Sequence, residues 1–152
     1  MTHLLSTDFY HCDTQRRAMI SLPDHFVCQK CLDTIAFDGE PVFVFGSNLA
    51  GIHGAGAAKQ AHEDFGAVWG RGAGSAGRSY AIPTKDRSIK TLPLPAIWLH
   101  VREFLDYAKA HPAKTFFVTR IGCGLAGYSE TEIAPFFAAA PDNCVLPEGW
   151  RK

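Results

Sequence analysis

The chain has 152 residues, 47% of them hydrophobic, which suits one globular core of ordinary size with room for a small appendage. Its 15 basic and 15 acidic side chains cancel, so no bulk charge draws it to nucleic acid or to a membrane surface. No stretch approaches the roughly 18 continuous apolar residues of a membrane span, and Asp8, His11 and Asp13 do not fit a secretory signal; a cytoplasmic monomer is expected.

Residues 1–40 differ from the rest. They hold three of the five cysteines, three of the seven histidines and no glycine before Gly39, and they show no clean hydrophobic period. The expectation is an irregular N-terminal extension with one short hairpin pairing Phe26-Val27 with Ile35-Ala36-Phe37, closed off by the turn signal Asp38-Gly39. An odd cysteine count in a cytosolic chain argues against a disulfide framework. Cys28-x-x-Cys31 has the spacing of half a zinc site, with Cys12 as a third ligand and His25 or His11 as the fourth. Structural zinc would replace hydrophobic burial that this segment lacks. Reduced, packed thiols are the competing reading, since the overall spacing matches no standard zinc signature.

From residue 41 to 152 the pattern is that of an α/β domain. Pro41-Val42-Phe43-Val44-Phe45 is a continuous apolar run, as in a strand buried on both faces. It leads into Gly46-Ser47-Asn48 and a glycine-rich loop, then an alanine-rich helix from Ala55 to Phe65 ended by Gly66. Gly70 to Gly77 reads as a mobile glycine stretch, and Ser79-Tyr80-Ala81-Ile82 as a short strand stopped by Pro83. Pro95 to Ala110 reads as a helix whose apolar face is Ile97, Val101, Phe104, Leu105 and Ala108. A strand over 115–121 and a second glycine loop follow. A helix from Glu130 to Ala139 is predicted next, opened by a Ser129–Glu132 capping box, and Cys144-Val145-Leu146 reads as a last strand. Strands alternating with helices predict a three-layer fold around a mixed or parallel sheet.

Both glycine loops follow strands. In the first, Gly54, Ala55, Gly56 and Ala57 lead into a helix whose free N–H groups and dipole can hold a phosphate. Asn48 offers an amide suited to ribose hydroxyls. A plain strand-to-helix turn built of small residues fits the same pattern. No Gly-Lys-Ser/Thr follows, so this is not a Walker loop, and Gly-x-Gly-x-x-Gly is absent. The second loop, Arg120-Ile121-Gly122-Cys123-Gly124-Leu125-Ala126-Gly127-Tyr128, has three glycines in six residues where a backbone can approach a ligand closely.

Together these segments resemble the macrodomains, the ADP-ribose-binding fold. Asn48 with the Gly54–Gly56 helix entry looks like their first ligand loop, and Arg120-Ile121-Gly122-Cys123-Gly124-Leu125 like their diphosphate loop. The wording of the second loop resembles the branch holding the terminal ADP-ribose protein glycohydrolase and the DNA ADP-ribosyl glycohydrolase antitoxins. It is also similar to uncharacterised, often phage-associated macrodomain-like proteins. In that branch a strand ending in Thr-Lys carries a catalytic lysine, and Tyr80-Ala81-Ile82-Pro83-Thr84-Lys85 matches it. The resemblance spans about residues 41–149. It implies binding of ADP-ribose or an ADP-ribosylated macromolecule by Ser47, Asn48, His53, residues 54–57 and residues 121–128. It further implies Lys85 as the catalytic residue, no cofactor, and nucleic acid only as a modified substrate. The alternatives are a non-catalytic module that binds a nucleotide signal, and a zinc-supported module that binds protein or nucleic acid through residues 1–40. Two departures stand out. Ala126 occupies the position of an aspartate in the protein glycohydrolase, and Gly46-Ser47-Asn48 replaces the usual Asn-Ala-Ala-Asn.

Other residues carry two readings each. Lys85 is a nucleophile or a solvated lysine beside Asp86 and Arg87. Cys123 is a thiol activated by a helix end or a small buried filler. His53 touches ligand or shapes a turn; Tyr128 closes over ribose or packs. Arg71 and Arg78 fold over phosphates as a lid or stay solvated. Phe65 and Trp69 belong to the core or its rim, or form a shelf for adenine.

Overall fold

The computed structural model describes residues 19–21, 26–28 and 41–151. Two short strands, β1 (Met19–Ser21) and β2 (Phe26–Cys28), pair antiparallel with Ile20 opposite Val27. The strand expected at Phe26-Val27 is present, but its partner is the segment before it; residues 35–37 lie outside the described ones.

The main unit is a five-stranded mixed sheet. In chain order it contains β3 (Pro41–Asn48), α1 (Gly56–Asp64), β4 (Gly74–Ala76), β5 (Ser79–Lys85), α2 (Leu94–Ala110), β6 (Thr115–Val118), α3 (Glu130–Ile133), a 3₁₀ turn over Ala134–Phe137, and β7 (Cys144–Val145). The strand order is β4-β5-β3-β6-β7. The pairings of β3 with β5, β3 with β6 and β6 with β7 are parallel, and only β4 runs antiparallel. Alternation along β3 feeds both faces. Val42 and Val44 join Ile97, Val101, Phe104 and Ala108 of α2 in one buried cluster. Phe43 turns the other way and stacks on Phe65, just past α1, with ring centroids 4.6 Å apart. A helix on each face fits the three-layer arrangement.

All five apolar positions of the predicted α2 face are buried. Proline explains two departures from expectation. β5 continues through Pro83 to Lys85 instead of stopping. β4 pairs only as far as Ala81, so the outer side of β5 at Pro83 carries no ladder for the missing N–H to break. The helix predicted over 130–139 ends as α-helix at Ile133. Pro135 cannot donate an i to i−4 bond, and the chain tightens to three-residue spacing, with the Ala138 N–H donating to the Pro135 carbonyl at 3.2 Å. The capping-box reach is present: the Ser129 N–H donates to Glu132 Oε1 at 2.9 Å.

The 70–77 stretch, expected as mobile and glycine-rich, holds β4, a strand that the sequence did not announce. Its glycines let backbone meet backbone. A Cβ on Gly72 would lie 2.0 Å from the Asn48 carbonyl oxygen, and one on Gly51 would lie 2.3 Å from the Gly70 carbonyl carbon. Gly66 and Gly77 press together in the same way, with a Cβ on Gly77 2.9 Å from the Gly66 Cα. β6 ends at Val118, short of the predicted Ile121. There Thr119 turns back on β3, its Oγ1 donating to the Val44 carbonyl at 2.9 Å.

Candidate functional site

β3 lies between β5 and β6; α1 follows β3 and α2 follows β5, packed on opposite faces, and a crevice is left at the carboxyl ends of these strands. Such switch points are where open α/β sheets hold ligands. A cleft of about 460 Å³ occupies this place. Its floor is polar: Ser47 and Asn48 from β3, Thr84 and Lys85 from β5, and Thr119 after β6. One wall is the entry to α1, the other the loop after β6.

The α1 entry is open. Ala55 has the extended geometry of an N-cap (φ −153°, ψ 159°) yet no side chain caps the helix, and no acidic residue sits in its first turn. The Lys59 N–H makes the first intrahelical bond to the Ala55 carbonyl at 3.2 Å, so the N–H groups ahead of it lack intrahelical acceptors. The facing loop turns at Gly122 (φ +77°) and Gly127 (φ +89°), conformations that favour glycine. A Cβ at Gly122 would also press on Ile133 Cδ1 at 3.1 Å. The loop closes through Tyr128 N–H to the Gly122 carbonyl at 2.9 Å.

Of the residues named from sequence, Ser47, Asn48, Gly54, Ala55, Gly56, Ala57, Lys85, Gly122, Gly124, Leu125 and Ala126 line the cleft. Asn48 is engaged: its Nδ2 donates to the Ile52 carbonyl at 2.9 Å and its Oδ1 accepts the Ile52 N–H at 3.0 Å, which closes the first loop. One amide hydrogen and one lone pair are left over. Ser47 Oγ donates to the Gly72 carbonyl. Lys85 is half-buried, and its ammonium makes no hydrogen bond or ion pair with any described residue.

The other named residues lie outside the lining. His53 is fully buried under the loop, its Nε2 2.9 Å from the Val68 carbonyl oxygen and its ring edge-on to Phe45. Ile121 is core. Cys123 packs against the core, its Sγ 3.5 Å from the Ile121 carbonyl oxygen. The Tyr128 hydroxyl donates to the Leu92 carbonyl at 2.6 Å. Gly127 serves the turn. Arg78 lies over the Phe65 ring at 5.5 Å and donates to the Asp64 carbonyl, away from the cleft. Cys12, His25 and Cys31 fall outside the described residues, and of Cys28 only the backbone is described. Among the described residues, no group of three or more His, Cys, Asp or Glu side chains is placed to hold a metal.

Sequence reasoning missed Thr84, Thr119, Arg120, Ile52 and Ile89 as lining residues, along with the small residues Gly46 and Ala58. Thr84 and Arg120 sat within the motifs already noted. Ile89 carried no signal at all. Arg120 is held at the rim by Glu130, Nε to Oε1 at 3.0 Å, and the same carboxylate oxygen accepts the Trp150 indole N–H at 2.8 Å. The Trp150 N–H, and after it the Arg120 guanidinium, hold the Glu130 carboxyl below its ordinary value. Among the described residues no Asp or Glu lines the cleft, while Lys85 and Arg120 do, so the local field favours an anion.

No family model, no curated protein and no solved structure matches this chain.

Proposed function

We propose that the cleft binds ADP-ribose or a related nucleoside diphosphate, in a macrodomain-like manner. The observation that carries this is the facing pair of backbone walls, the uncapped entry of α1 and the glycine turn at 122–127, with Lys85 and Arg120 as the only charged side chains that the described residues bring to the lining. Backbone N–H groups and a helix dipole suit a diphosphate, and the hydroxyl and amide groups of the floor suit ribose. Isothermal calorimetry with ADP-ribose tests it: a saturable heat is expected, and no heat at millimolar ligand overturns it.

The reaction proposed is release of ADP-ribose from a macromolecular carrier. Water adds its hydroxyl to ribose C1, the bond from C1 to the carrier atom breaks, and the carrier takes the proton. Positive charge develops on the sugar as that bond breaks. Lys85, at the floor, acts on the ribose as nucleophile or holds it in place. Lys85→Ala is expected to keep ADP-ribose binding within a few-fold and to lower release from ADP-ribosylated protein or DNA by about a hundredfold or more. Unchanged release removes Lys85 from the mechanism.

One observation favours a second reading, a module that binds the nucleotide without cleaving it. Among the described residues, no carboxylate lines the cleft to serve as general acid or base. Binding without any release from either carrier would select it.

A further inference from the structure

Three of the large apolar side chains that the described fold leaves exposed gather at this one cleft: Ile52 at 43%, Ile89 at 40% and Leu125 at 70% relative exposure. They come from three different loops, and each loop is pinned. Ile52 is fixed by its two backbone bonds to the Asn48 amide. Leu125 reaches across the cleft to α1, close enough that a Cβ on Gly56 would lie 3.6 Å from its Cδ1. Thr91 Oγ1 donates to the Ala126 carbonyl at 3.0 Å, which ties the Leu125 loop to the segment carrying Ile89.

Ile89 is the most telling of the three. It has φ +64°, the only positive φ outside glycine among the described residues, and β-branched side chains are outliers there. The turn that imposes it is built by Asp86, whose Oδ1 accepts the N–H groups of Ser88 at 2.8 Å and Lys90 at 3.0 Å, while the Asp86 N–H donates to the Lys90 carbonyl at 2.7 Å. Asparagine or glycine would occupy this corner without strain. An isoleucine there is strained, and the Asp86 hydrogen bonds hold it at the cleft with 40% of its surface exposed.

The geometry points to Ile89, Ile52 and Leu125 as a specificity clamp that grips a flat apolar ring, the base of the bound nucleotide, above the polar floor. The inference rests on the nucleotide reading of the cleft and adds what that reading leaves open, namely which residues select a ring-bearing ligand over a bare sugar phosphate. The floor and the α1 entry hold the hydroxyls and the anion; the clamp holds the ring.

The test titrates the wild-type chain, Ile89→Asn and Leu125→Ala with ADP-ribose, with ribose phosphate, and with the ring-bearing anion anilinonaphthalene sulfonate. Asparagine tolerates the left-handed corner, so Ile89→Asn is expected to melt no lower than the wild type. Each variant is expected to lose about tenfold in affinity for both ring-bearing ligands, and Ile89→Asn to leave ribose phosphate binding unchanged. ADP-ribose binding that ignores both substitutions overturns the clamp and leaves the nucleotide reading standing. Dye binding that depends on Ile89, with no ADP-ribose binding, removes the nucleotide reading and the base clamp with it. Failure to bind either ring-bearing ligand overturns both.

Discussion

A single methyl group at position 72 would occupy the space of the Asn48 carbonyl oxygen, 2.0 Å away. Both partners are backbone, so neither can yield cheaply. Gly72→Ala is expected to destabilise the chain by about 3 kcal/mol in denaturant unfolding. Asn48→Ala leaves two loop bonds unmade and is expected to cost about 1–2 kcal/mol. Asn48→Asp keeps the acceptor for the Ile52 N–H but sets a carboxylate against the Ile52 carbonyl, so it too should unfold at lower denaturant. Glu130 gives a pH signature. Its folded value lies below the unfolded one, so its stabilisation is present above the ordinary carboxyl range and is lost as pH falls through the folded value. Glu130→Gln should therefore flatten the acid limb of a melting-temperature profile; an unchanged limb would show that the Trp150 and Arg120 contacts contribute nothing. At this scale the sequence was half legible. Clustered glycines announce close backbone approach, but the atom approached comes from a strand 24 residues earlier, as with Gly72 and Asn48. The left-handed corner at Ile89 was invisible, because isoleucine is the residue least expected there.

Among the elements, α2 was the most legible. Its five apolar positions repeat at helical spacing, and all five are buried against the sheet. Phe104→Ala removes the ring packed between Tyr80 and Phe116, and a loss of about 3–5 kcal/mol is expected from equilibrium unfolding. Strand β5 was less legible, since a proline normally stops a strand and here merely occupies an unpaired side. Strand β4 hid inside a glycine run because its partner, not its own propensity, makes it a strand. The entry of α1 offers a test of purpose. Ala55 already has N-cap geometry, so Ala55→Asp should cap the helix and raise stability by about 1 kcal/mol. The same carboxylate would compete for the N–H groups facing the cleft. A higher melting temperature with at least tenfold weaker ADP-ribose binding is expected; higher stability with unchanged binding would separate the helix entry from the ligand.

For the whole molecule, sheet order decides where chemistry can gather. Parallel strands on both sides of β3 bring 48, 85 and 119 to one edge, though 71 residues separate the first from the last. No local pattern reveals that convergence; it follows from the crossovers. The core also has an alkaline limit. Burial pushes the Tyr80 hydroxyl from 10.0 to about 12 and the Cys144 thiol from 9.0 to about 12. Both groups are neutral in the fold, so their stabilisation is complete below their unfolded values and disappears as pH rises through about 12. Melting temperature is expected to fall across that alkaline interval, and Tyr80→Phe should soften the fall. The backbone contacts of Gly72 with Asn48 and of Gly70 with Gly51 have a kinetic consequence. The Gly70 N–H donates to the Gly51 carbonyl at 2.8 Å and Ser47 Oγ to the Gly72 carbonyl, so the 70–77 segment and the first loop are expected to open as one cooperative unit. Amide hydrogen exchange along 70–77 should slow when the cleft is filled, although that segment supplies none of its lining. A stretch that never touches ligand would then be the most sensitive reporter of it.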